Sequence, residues 1–244
     1  LLTPRASIKA VMCVSSRVIP ADSAAASRLT RGSASSSKSR FFGVTQSNLA
    51  FCVDSHDQSI PVRIMRILAI SGSARLNSTN TAMLRAIRAI APSDIEVSIF
   101  DGVGRLPVFS PDLEGESLPE AVRDFIDVIA KSDGVIIASP EYVRSIPGGL
   151  KNAIDWLVSG DEIVHKPIAL LHASHRGDEM LAGLRTVLAT ITDRFAEDIF
   201  LRLPLMKLDP AEVLRSIETA ENRSRVQAYL HAFSAYCRAD AETA

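Results

Sequence analysis

"DGVIIASPEYVRSIPGGLKNAIDWL", residues 133–157, joins a short apolar run to a helical stripe through a loop carrying two prolines. The run "GVIIAS" (134–139) lacks the apolar–polar alternation of a half-buried strand. It reads as a strand covered on both faces, as in parallel sheets. Leu150, Ile154 and Leu157 then recur at helical spacing and predict a helix over about 148–158, with Trp156 as core or interface. Pro140 and Pro147 stiffen the connection and bias their preceding residues to an extended form. A rigid backbone of that kind can offer N–H and C=O groups to a flat heterocycle, with Tyr142 packed against the ring. Gly148 and Gly149 permit close approach at the helix start. The other reading is an ordinary strand-to-helix connection.

The same alternation of periods runs outward in both directions. Strands are predicted at 66–71, 96–100, 134–139, 166–174 and 198–203. Helices are predicted at 78–91, 118–132, 148–158, 178–192 and 210–237. Strands separated by helices require crossovers of one hand, and hence a parallel sheet covered on both sides. Five such strands in about 180 residues suit a doubly wound α/β fold of three αβα layers, with strand order 2-1-3-4-5. Ligands of that fold bind beyond the carboxyl ends of the strands.

Residues 1–64 differ from the rest. They hold eight basic and three acidic residues with thirteen serines, although the whole chain has a formal net charge of only −1. A segment such as "GSASSSKSR" cannot bury enough apolar surface to offset its ordering entropy. We read 1–64 as a disordered or non-native extension and 65–244 as the folded domain. The extension is non-coding sequence translated ahead of Met65, an organelle transit peptide rich in Arg and Ser, or a genuine disordered tail.

Composition narrows the classes of function. No apolar run approaches the roughly 18 residues that span a bilayer. Cys13, Cys52 and Cys237 are too scattered for a disulfide framework or a metal site and fit a reducing compartment. The five histidines include no HxxxH pair. Neither a membrane nor a nucleic acid is expected as partner, and the expected location is cytoplasmic, or an organelle if 1–64 is a transit peptide.

The loop "SGSARLNSTN" (71–80) leaves the first strand for the first helix. It offers Ser73, Ser78, Thr79 and Asn80 side chains, the Arg75 guanidinium and free N–H groups at a helix start. That combination favours an anion; an ordinary N-cap by Ser78 with a solvated Arg75 is the alternative. Asn77 can take the left-handed form a tight turn needs. GxGxxG and GxxxxGK[ST] are both absent, so the anion fits a mononucleotide phosphate better than a dinucleotide or triphosphate.

"GSARLNSTN" together with "SPEYVRSIPGGLKNAIDWL" resembles the NADPH-dependent FMN reductase family of the flavodoxin-like fold, which includes quinone, chromate and azo reductases. "LPVFSPDLEGE" is similar to a third family loop, and the resemblance covers about 65–205. It implies that Ser73, Arg75, Ser78, Thr79 and Asn80 hold the FMN phosphate. It implies further that Pro140, Glu141, Tyr142 and Val143 line the isoalloxazine, mostly through backbone, and that Ser174 begins a third loop at its other edge. It also implies a homodimer or homotetramer and two-electron transfer from NADPH or NADH to a small-molecule acceptor. The flavin carries that chemistry, so no catalytic acid or base is named.

The chain departs from the family at two places. Val143 stands where the family has Asn, which removes any side-chain hydrogen bond made there. The third loop reads "ASHRGDE" (173–179), and His175 and Arg176 put positive charge where the family has none. That charge alters nicotinamide or acceptor preference, or it points to solvent. A flavodoxin-type electron carrier and a flavin-free scaffold are the alternative functions; the arginine of the first loop and the SIPG segment favour the reductase over the carrier.

Overall fold

The computed structural model describes residues 63–239. The extension read at 1–64 therefore lies outside the described residues, except for Arg63 and Ile64, which lead into the first strand. The elements are β1 (Met65–Ser71), α1 (Thr79–Ala89), β2 (Ile95–Phe100), α2 (Glu120–Ala130), β3 (Gly134–Ala138), α3 (Gly148–Asp155), β4 (Ile168–His172), α4 (Asp178–Ile191), β5 (Phe195–Arg202), α5 (Pro210–Glu218) and α6 (Ala220–Arg238). The strands pair in parallel in the order β2-β1-β3-β4-β5. The flavodoxin-like α/β reading holds.

The apolar runs explain the three layers. Successive side chains of a strand point to opposite faces, so a run that is apolar throughout supplies two cores. Ile67, Ala69, Ile136, Ala169 and Leu171 face one core, where Met83 and Leu84 of α1, Val213 of α5 and Phe233 of α6 meet them. Leu68, Ile70, Val135, Ile137 and Leu170 face the other, against Phe125 of α2, Leu150 of α3 and Leu184 of α4. A fully buried Leu, Ile or Phe contributes about 1.5–3 kcal/mol each, which makes the three central strands a rigid platform for the loops at their carboxyl ends.

Apart from element ends shifted by one to three residues, the structure differs from the sequence reading in two places. The helix expected over 210–237 is two helices, broken at Thr219, whose ψ of 146° is extended. The Thr219 hydroxyl caps α6 by accepting from the Asn222 N–H at 3.4 Å and donates to Ser216 O at 2.9 Å. β5 starts at Phe195, three residues earlier than expected, because it is an edge strand that tolerates Glu197 and Asp198. Asn77 is not left-handed: among the described non-glycine residues only Val143, Arg144 and Lys207 have positive φ. No described helix is long and apolar enough to cross a membrane.

Candidate functional site

The carboxyl ends of β1, β3 and β4 converge on a cavity of about 340 Å³. The β1–α1 loop reaches it through the start of α1. Gly72 makes this possible: its N–H donates to Ala138 O at 2.8 Å, and a Cβ there would stand 2.8 Å from Leu150 Cδ2 and 3.0 Å from Ser139 Oγ. Only a residue without a side chain lets the β1 and β3 loops lie this close. Ser78 is the N-cap of α1, its side chain accepting from the Thr81 N–H at 3.4 Å. The backbone N–H groups of Thr79 and Asn80 precede the first intrahelical bond and make no hydrogen bond among the described residues. Asn80 is buried, lines the cavity, and its Oδ1 has no partner. A buried amide left open in this way awaits a ligand or water.

The β3–α3 loop forms a second wall. Tyr142 and Ser145 exchange backbone bonds of 3.2 and 3.0 Å around Val143 and Arg144, whose φ angles are 51° and 57°. Two consecutive left-handed residues define a type I′ turn, which favours Asn and Gly. Val143 is a β-branched residue in that conformation and is 98% exposed, so nothing packs against it to compensate. Val143→Asn should therefore raise stability by about 1 kcal/mol and the melting temperature by about 2–4 °C. A melting temperature that stays level or falls would show that the turn carries no such strain.

Glu141 ties this wall to the third loop, its Oε2 accepting from the Met180 N–H at 3.2 Å in the first turn of α4. The third loop runs from Ala173 to Gly177. Ser174 Oγ accepts from the Arg176 N–H at 3.0 Å and lies 2.7 Å from Met206 Sδ in the segment after β5. His172 closes the floor. It is 1% exposed, and burial in the sheet pushes its pKa below the ordinary value, so the ring is neutral at pH 7. The bond of 2.5 Å from Nε2 to Arg176 O fixes the tautomer, because a carbonyl can only accept.

Thr79, Asn80, Pro140, Glu141 and Ser174 line this cavity together. Ser73 does not line it; it is buried, its Oγ accepting from the Arg75 N–H at 3.3 Å. Arg75 is exposed beside it. Ser78 faces a separate groove between α1 and α5, Tyr142 is 48% exposed outside the cavity, and the Val143 side chain projects to solvent. Sequence reasoning missed His172 and Met206 as lining residues. His172 ends the otherwise apolar run "IALLH", and that polar residue was the available signal; nothing local marks Met206.

The "KNAIDW" segment has a supporting role. Asn152 accepts from the Phe109 N–H at 2.8 Å and donates to Pro107 O at 2.9 Å, and Trp156 Nε1 donates to the same carbonyl at 2.9 Å. The side chains of α3 thereby hold the long loop after β2. Gly149, where a Cβ would lie 3.3 Å from Val103 O, lets that loop approach, whereas Gly148 faces open space.

A parallel doubly wound sheet in the order 2-1-3-4-5, with unpaired N–H groups at a helix start and two further loops at its carboxyl edge, defines a flavodoxin-like fold. The chain belongs to the NADPH-dependent FMN reductase family, whose sequence pattern matches residues 65–196. It is 42% identical over 92 residues to a 2-hydroxy-1,4-benzoquinone reductase of Burkholderia sp, covering 38% of this chain and 49% of that protein. It is 35% identical over 124 residues to a quinone reductase of Escherichia coli (strain K12), covering 50% of this chain and 64% of that one. The matched stretch thus spans about half to two thirds of these relatives. The solved structure of the flavoenzyme NAD(P)H:(acceptor) oxidoreductase FerB from Paracoccus denitrificans shares the fold, with a TM-score of 0.58 at 24% identity over 72% of this chain and 98% of that one.

Proposed function

We propose that this protein is an NAD(P)H-dependent, FMN-containing oxidoreductase that reduces quinone-like small molecules by two electrons. The observation that carries the reading is the meeting of the free Thr79 and Asn80 N–H groups at the start of α1 with the β3 and β4 loops around one cavity. Those residues fit FMN. Thr79 and Asn80 supply donors for a phosphate, with Arg75 adding the charge and Ser73 and Ser78 shaping the loop. Pro140, Glu141 and Ser174 form the edges available to a flat ring system, and Tyr142 and Val143 would reach it only through the backbone of their turn.

Bound FMN would supply the redox chemistry, taking a hydride from NADPH or NADH and passing two electrons to the acceptor. The chain orients it, and the buried floor around His172 and Ser139 keeps water from one side. A single cavity at the strand ends supports one substrate position used in turn by donor and acceptor, a ping-pong cycle. The apolar side chains of Leu76 and Val108 are 92% and 83% exposed, which supports a homodimer or homotetramer that covers them. We place the protein in the cytoplasm, the compartment that three scattered cysteines fit.

Purified protein should show flavin absorption and release FMN on denaturation. Initial rates of NADPH and NADH oxidation with a quinone panel should give parallel double-reciprocal lines. Intersecting lines would replace the alternating cycle with one in which both substrates are bound together. Protein that neither retains nor rebinds FMN would overturn the assignment.

A further inference from the structure

The carboxylates around the third loop are all engaged. Glu141 accepts from the Met180 N–H at 3.2 Å, Asp178 pairs with Arg202 at 2.5 Å, and Glu179 pairs with Arg144 at 3.0 Å. Arg176 sits among them, lines the cavity, and its guanidinium makes no hydrogen bond or ion pair among the described residues. Its charge at the cavity mouth is therefore uncompensated.

Its backbone, by contrast, is held at both ends. The N–H donates to Ser174 Oγ at 3.0 Å and the carbonyl accepts from His172 Nε2 at 2.5 Å. Gly177 follows at φ 102°, and a Cβ there would come within 2.7 Å of His172 Nε2. The clasp thus needs both the buried imidazole and a glycine beside it. A fixed backbone carrying an exposed, unpaired cation suits recognition of an anion that arrives after the cavity has been filled. Less of the charge-assisted bond is then lost to ordering the loop.

We propose that Arg176 is a specificity-determining residue that recognises an anionic group on the second substrate, with His172 as the positioning residue that aims it. The anion is either the ribose phosphate that distinguishes NADPH from NADH or an acidic substituent on the electron acceptor. The inference rests on the reductase reading and extends it to a substrate class.

The test compares wild type with Arg176→Gln, both loaded with FMN. One arm measures kcat/KM for NADPH and NADH with menadione, together with calorimetric binding of NADP⁺ and NAD⁺. The other measures kcat/KM for menadione and a sulfonated naphthoquinone with NADH. A charge-assisted contact is worth roughly tenfold or more in affinity, so one of the two anionic-to-neutral ratios should fall by about that factor. A fall in the nicotinamide ratio, in kinetics and calorimetry alike, assigns the phosphate; a fall in the quinone ratio assigns the acceptor. His172→Leu should reduce the same ratio, and His172→Gln, which keeps a donor for the carbonyl, should restore it. Active protein whose ratios stay unchanged in Arg176→Gln overturns the inference alone. Ratios untouched by His172→Leu overturn the positioning role. Wild type that oxidises neither nicotinamide overturns the reductase reading and this inference with it.

Discussion

Arg75→Ala will weaken FMN binding to the apoprotein by about 10- to 150-fold and leave riboflavin affinity nearly unchanged. Arg75 is the one cation in the loop from Ser71 to Asn80. Its backbone N–H donates to Ser73 Oγ, and its side chain makes no hydrogen bond or ion pair among the described residues. The guanidinium is thus free for a phosphate, and removing it leaves no buried carboxylate unpaired. A hydrogen bond to a charged group contributes roughly 1.5–3 kcal/mol net, and each 1.4 kcal/mol is about tenfold in affinity. Riboflavin lacks the phosphate and so lacks the partner. Ser78→Ala should affect FMN less, because the Ser78 side chain already accepts from the Thr81 N–H as the cap of α1. Its loss should appear mainly as about 0.5–2 kcal/mol of stability. Fluorescence-quenching titrations with each flavin decide the matter. Equal weakening of FMN and riboflavin by Arg75→Ala would mean that the residue acts through the fold rather than on the phosphate.

The central strands were legible because Ile67–Ile70, Val135–Ala138 and Ile168–Leu171 are apolar without interruption, as strands buried on both faces are, and their alternation with helices suited the order 2-1-3-4-5. The helix starts were legible where local chemistry marks them: Ser78 caps α1, and Asp209 with Pro210 and Glu212 opens α5 through a reciprocal capping box. The break at Thr219 was not legible, since no glycine or proline announces it. It depends on the Thr219 hydroxyl and the Asn222 side chain both turning back to Ser216 O.

The site divides the same way. Thr79 and Asn80 were legible as polar groups of the loop after the first strand, and Pro140, Glu141 and Ser174 through the family resemblance of their loops; the structure brings the five together around one cavity. His172 and Met206 join them through the pairing of β4 with β5 and the path of the chain after it, and no local pattern encodes that meeting. The left-handed pair Val143–Arg144 was hidden for the opposite reason, because valine is among the residues least suited to that backbone. There the rest of the loop overrides the local preference.

The largest stability effect belongs to Trp156. It is 3% exposed, and its ring stands edge-on to Phe109 with centroids 5.1 Å apart. Trp156→Ala removes this packing and should cost about 3–5 kcal/mol, because α3 and the loop after β2 cannot both move to fill the space. The carbonyl of Pro107 will not be orphaned, since Asn152 Nδ2 still donates to it at 2.9 Å. Trp156→Phe should therefore lose only the indole hydrogen bond and some contact area, about 1 kcal/mol. Asn152→Leu presents the converse case. It leaves the Phe109 N–H without its 2.8 Å acceptor, at a cost of about 1–3 kcal/mol. Since both residues share Pro107 O, the double variant Trp156→Phe with Asn152→Leu should cost more than the sum of the two, because that carbonyl then has no donor. Urea unfolding of the four variants measures each value. A Trp156→Ala cost below about 0.5 kcal/mol, the range of ordinary surface changes, would show that α3 does not hold the loop in this way, and the wall it supports would then be free to move.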